Sequence, residues 1–255
     1  MQIRILGAHM TEIASAKLPG LLIDGVLALD AGSLCSSLPL EAQRQIKAIF
    51  LTHHHYDHVR DLPTLAMNLA NHTSVEIYCI QPTSEVLSTH LFDGGMYPNF
   101  LKWPDHRPAI RFTIIKPYQL ISVASYSVVA IPVAHVVPTV GFQVSSAGGK
   151  SVFYTGDTSA GLDVCWEHVH PDLLVTEITM PQRLEDWARK TGHLAPGLLK
   201  AELLQLRKLN GYIPRTVLVH VNPSYQSEVE REVATIAEEL GADISLGYEG
   251  LTIDL

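Results

Sequence analysis

One stretch constrains this chain more than any other. In Phe50–Pro63, FLTHHHYDHVRDLP, an apolar approach over Ile46–Leu51 runs through Thr52 into His53, His54, His55, Tyr56, Asp57 and His58. The pattern His-x-His-x-Asp-His offers four ligand-type side chains within six residues. If Ala48–Leu51 is a buried strand, its continuation sets His53 and His55 on one side, because side chains alternate along extended chain. Asp57 and His58 then fall on the turn into a helix, with Asp61 as its cap ahead of Leu62 and Pro63. Two imidazoles facing one point, with a carboxylate and a further imidazole beside them, suit a pair of borderline divalent ions such as zinc. An affinity-tag-like run would sit at a terminus and carry no Asp in this position. His54, between the ligands, is expected to point away.

Composition sets the frame around this cluster. With 255 residues, 47% of them hydrophobic, the chain can bury one large core or two small ones. A net charge of −8 disfavours duplex nucleic acid, whose affinity comes from Lys and Arg on phosphates, but not a small phosphorylated ligand held by cations. Cys35, Cys79 and Cys165 are odd in number and widely spaced, which predicts reduced thiols and a cytoplasmic setting. Met1–Leu6 reads as a strand rather than a leader. Tyr126–Val144, the most apolar long stretch, is interrupted by Pro132, His135 and Pro138, so no membrane span is expected.

Along the chain, strand-like runs alternate with helical ones, and no polar linker divides them. Leu21–Ile23 and Val26–Leu29 flank Asp24-Gly25, a two-residue hairpin signal. Val75–Ile80, Arg111–Ile115, Leu120–Val123, Tyr126–Pro132, Val140–Ser145, Val152–Tyr154, Leu173–Thr176 and Thr216–His220 read as strands, as do Ile244–Leu246 and Leu251–Leu255. Helices are expected over Leu62–Ala70 and Pro196–Leu209. Another should open at a capping box, Ser227 to Glu230, and stop at Gly241. Segment 84–108 carries Tyr97, Phe100 and Trp103 among Gly and Pro. It is either a surface loop pinned by aromatic anchors or a lid inserted over the site.

The His-x-His-x-Asp-His cluster behind an apolar strand resembles the metal-binding signature of the metallo-β-lactamase superfamily. The resemblance covers nearly the whole chain. It implies an α/β fold, the four-layer αββα sandwich, as a single domain over 1–255. It also implies three further ligands in order: a lone His, an Asp after a strand, and a His after a late strand. His135 in Ile131–Phe142, Asp157 behind Gly156, and His220 at the end of Thr216–His220 match that order. His72, His90 and His106 lack such a context, and His168 and His170 read as loop residues. By resemblance, His53, His55 and His135 hold one metal, and Asp57, His58 and His220 hold the other. Asp157 bridges the two, with a shared hydroxide as nucleophile. Zinc, manganese and iron all suit these ligands. Asp30 either supports the ligand loops, as in relatives, or is a plain turn carboxylate.

Val175–Pro181, with Glu177 at a strand end, and Gly192–Pro196, with His193 before a helix, resemble the phosphodiesterase branch, which includes ribonuclease Z and the class II cyclic-nucleotide phosphodiesterases. There a Glu orients a His that contacts the phosphate or protonates the leaving oxygen, which makes His193, Glu177 and Asp57 the expected catalytic residues. Two departures stand out. Gly7–Met10 replaces a Gly/Ser-rich turn and brings His9 either near the site or into a plain loop, and Ala195 stands where a hydroxyl is common. No long basic arm for tRNA is visible. The expected activity is hydrolysis of a small phosphodiester, a cyclic nucleotide above all. The rivals are RNA-processing or thioester/lactone hydrolysis on the same fold, and a non-enzymatic metal-binding sensor. The sequence leaves the oligomeric state open, a homodimer included.

Overall fold

Residues 48–51 are apolar without interruption because both faces of their strand are covered. Ala48 and Phe50 pack between two sheets, while Ile49 and Leu51 pack under helices. The same alternation recurs at Leu173, Val175, Val217 and Val219, which face the other sheet, and at Leu174 and Leu218, which face helices. Strands buried on both faces lose the polar/apolar alternation of an exposed sheet and read as continuous hydrophobic runs. A computed structural model describes all 255 residues of the chain.

In chain order the strands are β1 (Gln2–Gly7), β2 (Gly20–Ile23), β3 (Leu27–Leu29), β4 (Ala48–Phe50), β5 (Val75–Cys79), β6 (Ile110–Ile114) and β7 (Leu120–Val123). They continue as β8 (Tyr126–Val133), β9 (Thr139–Ser146), β10 (Ser151–Tyr154), β11 (Leu173–Glu177), β12 (Arg215–Val219), β13 (Ile244–Leu246) and β14 (Thr252–Asp254). They form two seven-stranded sheets, ordered β14-β1-β2-β3-β4-β5-β6 and β13-β12-β11-β10-β9-β8-β7. Each sheet is antiparallel at one end and parallel at the other, with β3 to β6 parallel in the first and β10 to β13 parallel in the second. Ile5, Leu21 and Phe50 of one sheet share a core with Val128, Phe142 and Val175 of the other. Helices cover both outer faces, so the layers are αββα. No helix is long and apolar enough to cross a membrane.

Several local expectations need correction. Asp61 precedes the helix Leu62–Leu69, but its carboxylate does not cap it. Instead it accepts from the Cys35 and Ser36 amides at 2.7 and 3.3 Å, tying down the short helix Leu34–Ser37. The Ser227/Glu230 capping box is not formed. A 3₁₀ turn at Pro223–Tyr225, capped by the Asn222 side chain on the Ser224 amide, starts the helix Gln226–Leu240 one residue earlier. Pro223 presets the helical φ, so entry is decided before Ser227 is reached. After Asp24-Gly25, pairing resumes with Leu27 opposite Ile23, so Val26 belongs to the turn. Within 84–108, Phe92 and Phe100 are fully buried under the first sheet's helices, and Tyr97 and Trp103 lie against Phe100.

His9 is no plain loop residue and lies near the site, its backbone bridged to Val221 next to His220. It is buried, with Nδ1 2.7 Å from Glu249 Oε1 and Nε2 3.1 Å from Gln226 Oε1. Glu249 also accepts from the Ala8 and Lys17 amides, so one carboxylate fastens both ends of the loop that reaches the cleft. Burial alone would raise the Glu249 pKa, but hydrogen bonds from His9 and the Lys17 amide pull it down to about 2. Burial opposes the charged form of His9 as well, and Glu249 overrides it and raises that pKa. The Glu249 contribution is therefore complete above its ordinary value of 4.5 and disappears as the pH falls towards 2. The His9 contribution is complete below 6.5 and fades as the pH rises through its raised value. In urea unfolding, Glu249→Gln should cost about 2 kcal/mol near pH 5.5 and progressively less on either side. A pH-independent difference would contradict the linkage.

Candidate metal centre

The candidate ligands reach one place because strands from both sheets end there. Beyond β4 the chain stays extended through His55 (φ −61°, ψ 145°) and then turns into the short helix Tyr56–Val59. Asp57 and His58 thus lie inside a helical turn rather than ahead of one. His135 follows β8, Asp157 follows β10, Glu177 ends β11 and His220 follows β12. Two backbone features permit the approach. Gly156 has φ +62°, and a Cβ there would lie 2.7 Å from the Thr52 side chain, so only glycine brings the Asp157 loop this close. His220 holds φ +63°, a left-handed conformation that a bulky residue adopts only under constraint.

His53, His55, His135 and Asp157 form one group whose ligand atoms lie within 4.8 Å of one another, and Asp57, His58, Asp157 and His220 form a second. Asp157 belongs to both and divides its oxygens between them. Its Oδ2 lies 3.6 and 3.8 Å from His53 Nε2 and His135 Nε2, and its Oδ1 lies 3.0 and 3.2 Å from His58 Nε2 and His220 Nε2. Asp57 Oδ2 stands 3.1 Å from His220 Nε2, and His55 turns Nδ1 towards His135 at 3.3 Å. His54 joins neither group, and neither do His72, His90, His106, His168 and His170.

In four of the five ligand-type histidines, all but His55, the opposite ring nitrogen is taken. His53 Nδ1 lies 2.9 Å from Thr52 Oγ1, His58 Nδ1 lies 2.7 Å from Asp30 Oδ2, His135 Nδ1 lies 2.8 Å from the Gly192 carbonyl, and His220 Nδ1 lies 2.8 Å from Thr179 Oγ1. Carboxylate and carbonyl oxygens only accept, and each threonine hydroxyl points its own proton at a carboxylate. Nδ1 of each of these rings therefore carries a proton, which leaves Nε2 as the inward nitrogen that can offer a lone pair to a cation. Asp30 is therefore no plain turn carboxylate. Fully buried, it holds His58 and also accepts from the Thr52 amide and hydroxyl and from the Tyr154 hydroxyl.

These residues fit a bound cation. His53 Nε2, His58 Nε2 and Asp157 Oδ1 are buried with no hydrogen-bond partner, although His58 and Asp157 come within 3.0 Å. Orphaned buried polar atoms are costly unless something polar or charged joins them. Burial, reinforced by the neighbouring imidazoles, holds His53 well below its ordinary pKa, and burial likewise lowers His55 and His135. Neutral imidazoles are the form that binds metal. His58 goes the other way: burial opposes its charge, but Asp157, Asp30 and Asp57 hold it well above its ordinary pKa, so a bound cation would displace its Nε2 proton. Asp157 is correspondingly held well below the usual carboxylate range, because the His220 and His58 charges override the effect of burial.

A third group joins Asp157 and His220 to Glu177 and His193. Glu177 is fully buried and receives four donors: the Thr158 amide and His193 Nδ1 on Oε1, at 2.7 and 2.9 Å, and the Thr179 hydroxyl and Leu194 amide on Oε2, at 2.6 and 3.1 Å. His193 does not cap the following helix; Ala195 stands at that position. Its ring stacks on His220 at 5.2 Å between centroids. Burial would lower the His193 pKa, but the Glu177 charge and hydrogen bond raise it to about 9. Cations bound alongside would pull that value back towards neutrality. Sequence reasoning missed Thr52, Tyr154 and Thr179. Their only signal is proximity in sequence to a site residue: His53, Asp157 and Glu177 respectively. The assembly floors a cleft of about 460 Å³, with the Met10–Glu12 loop, Tyr56 and Arg60 at its rim.

Comparison with known proteins places this geometry in a family. Structures with the same fold include unliganded yeast PDE1 (TM-score 0.86, 17% identity), covering 100% of this chain and 99% of that one. The metallo-beta-lactamase fold protein YhfI from Bacillus subtilis follows at TM-score 0.75 and 16% identity, covering 99% and 98%. The short form of human tRNase Z reaches TM-score 0.70 and 21% identity, covering 100% and 99%. No curated protein matches by sequence. A family model for the beta-lactamase superfamily domain matches residues 21–221, and with the αββα sandwich this places the chain in the metallo-β-lactamase superfamily.

Proposed function

We propose that this protein is a hydrolase that uses two divalent metal ions to open a small phosphodiester, a cyclic nucleotide above all. The observation that carries the reading is the Glu177–His193 pair beside the two ligand groups, with His193 Nδ1 2.9 Å from Glu177 Oε1. Thioester hydrolysis expels a thiolate that leaves without a proton, so it does not call for a carboxylate-backed imidazolium poised over the centre. A phosphodiester with an alkoxide leaving group does, because the leaving oxygen must be protonated. The fold shared with yeast PDE1 and human tRNase Z supports the same chemistry. The net charge of −8 favours a small substrate over tRNA.

In this reading His53, His55 and His135 would hold one ion and Asp57, His58 and His220 the other, with Asp157 common to both groups. Zinc, manganese and iron suit the donors. Bound there, such ions supply Lewis-acid polarisation of a phosphoryl oxygen and a water acidified towards neutral pH. The chain does the rest. Asp57, the more exposed of the two ligand carboxylates, accepts a hydrogen bond from the attacking water. His193 Nε2–H donates first to a phosphoryl oxygen and then gives its proton to the leaving alkoxide, which departs as a hydroxyl. Glu177 keeps Nδ1 protonated throughout, and Thr179 joins Glu177 to His220 so that the acid and the ligand keep one geometry. The three free cysteines and the lack of a membrane-length helix are compatible with a cytoplasmic enzyme.

The test is a panel assayed with metal-loaded protein: bis-p-nitrophenyl phosphate, 3′,5′- and 2′,3′-cyclic nucleotides, a tRNA precursor and a thioester. Cyclic nucleotides and the chromogenic diester should be turned over, with kcat/KM for a cyclic nucleotide at least about 10³-fold above that for the thioester. Preference for the tRNA precursor would move the protein to RNA processing, and inactivity with full metal loading would favour a sensor.

A further inference from the structure

A second cavity, of about 270 Å³, opens beside the cleft under the tip of segment 84–108. Tyr56 and Arg60 belong to the walls of both cavities, so the two adjoin. Met96 and Tyr97 supply the tip, and Thr64 and His90 add hydrogen-bonding groups from the helices Leu62–Leu69 and Gln81–His90. Resting on the phosphodiesterase reading above, we propose that this alcove receives the nucleobase of the substrate, with the Tyr56 and Tyr97 rings as its stacking surfaces.

Five observations point this way. The side chains around the opening are apolar yet exposed: Met96 is 91% exposed, Tyr56 66% and Tyr97 39%. Grouped exposed aromatic and thioether surface marks a place that something planar and apolar covers. The tip is also held in position, since Phe92 and Phe100 are fully buried beneath it and the Tyr97 ring lies 6.4 Å from the Phe100 ring. A stacking surface needs that rigidity, because a mobile ring would lose its gain to ordering.

Charge identifies which end of the ligand enters. The Arg60 guanidinium is paired with Glu12 and, through Nε, with Asp61 at 3.1 Å. Asp61 in turn is occupied by the Cys35 and Ser36 amides. The shared wall thus presents neither a spare cation for a second phosphate nor a spare anion, and it suits a neutral ring. Size agrees: about 270 Å³ falls just under the roughly 300–1,000 Å³ of a site for a whole drug-sized ligand, as expected for one ring system. Tyr56 stands between His55 and Asp57 in the chain and lines both cavities, so a base against its ring lies beside the cleft of the candidate metal centre. Stacking tolerates any base, so the alcove should separate nucleotides from base-free phosphates more sharply than one base from another.

The experiment is calorimetric binding of AMP and of ribose 5-phosphate to metal-loaded protein, with Tyr97→Ala, Tyr97→Phe and Met96→Ser alongside the parent chain. AMP should bind at least about ten-fold more tightly than ribose 5-phosphate. Tyr97→Ala should reduce that preference to about three-fold or less, Tyr97→Phe should keep it, and Met96→Ser should weaken it while leaving ribose 5-phosphate unchanged. Equal affinity of the two ligands for the parent chain, or a preference untouched by Tyr97→Ala, overturns the alcove. Turnover of bis-p-nitrophenyl phosphate by the same preparations judges the hydrolase reading separately. Hydrolysis without a base preference sinks the alcove alone, and a base preference without hydrolysis sinks only the activity.

Discussion

Asp157→Asn should abolish two-metal loading and lower phosphodiesterase activity by about 10³-fold or more, the equivalent of roughly 4 kcal/mol of transition-state stabilisation. The side chain is 2% exposed and is the only one common to the three ligand-type groups. Its two oxygens face different sets of imidazoles, Oδ2 towards His53 and His135 and Oδ1 towards His58 and His220. An amide keeps the size but offers one acceptor oxygen and an NH₂ that repels a cation. It also removes the anion that offsets two cations among neutral rings. Elemental analysis should give at most one ion per chain for the variant against two for the parent. A second readout needs no turnover. Metal that binds only the folded state stabilises it by mass action, so chelator should lower the parent's melting temperature markedly and the variant's little. If Asp157→Asn retains both ions and its chelator sensitivity, the shared-carboxylate assignment is wrong. Thr179→Val, which removes the acceptor behind His220 together with one of the four donors to Glu177, should cost less, about 10–100-fold in metal affinity.

How far the sequence disclosed this arrangement depended on whether a residue acts through its type or through its surroundings. His53, His55, Asp57 and His58 announced themselves because their type and spacing are rare outside metal sites. His135, Asp157 and His220 are individually unremarkable, and their order relative to the cluster singled them out. The structure brings all seven together. The parallel strands were legible for a related reason: burial on both faces enforces apolar runs such as Leu173–Thr176 and Thr216–Val219. Thr52, Tyr154 and Thr179 stayed hidden, since a hydroxyl gains its role only when a carboxylate from another strand arrives beside it. Asp30 acquired its role in the same way, through donors up to 124 residues distant in sequence. Short helices such as Asp163–Trp166 and Glu185–Thr191 were invisible because they are too brief to show a period. Asp61 misled because an acidic residue before a helix reads as that helix's cap, whereas tertiary packing turned it to another helix.

His193→Ala should lower kcat for a cyclic nucleotide by about 10²–10⁴-fold while leaving metal content unchanged. The leaving group separates this from a loss of positioning. A ribose alkoxide needs a proton as the P–O bond breaks, whereas p-nitrophenolate leaves without one, so bis-p-nitrophenyl phosphate should lose only a few-fold in the same variant. A loss equal for both substrates would assign His193 to binding phosphoryl oxygens alone, and no loss for either would remove it from the mechanism. The pH profile adds the sign. Activity on the alkoxide substrate requires the imidazolium, so it declines on the alkaline side as His193 deprotonates. The Glu177 carboxylate raises that pKa against the opposing effect of burial, to about 9 before bound cations lower it. Glu177→Gln removes the charge while keeping an acceptor for Nδ1–H, so the alkaline limb of the cyclic-nucleotide profile should move to lower pH by about one unit or more. The profile for bis-p-nitrophenyl phosphate should keep its alkaline limb, because its leaving group draws nothing from His193. Parallel movement of both limbs would place the titration elsewhere, on water or ligands at the metal centre, and leave the Glu177–His193 pair with a purely architectural part.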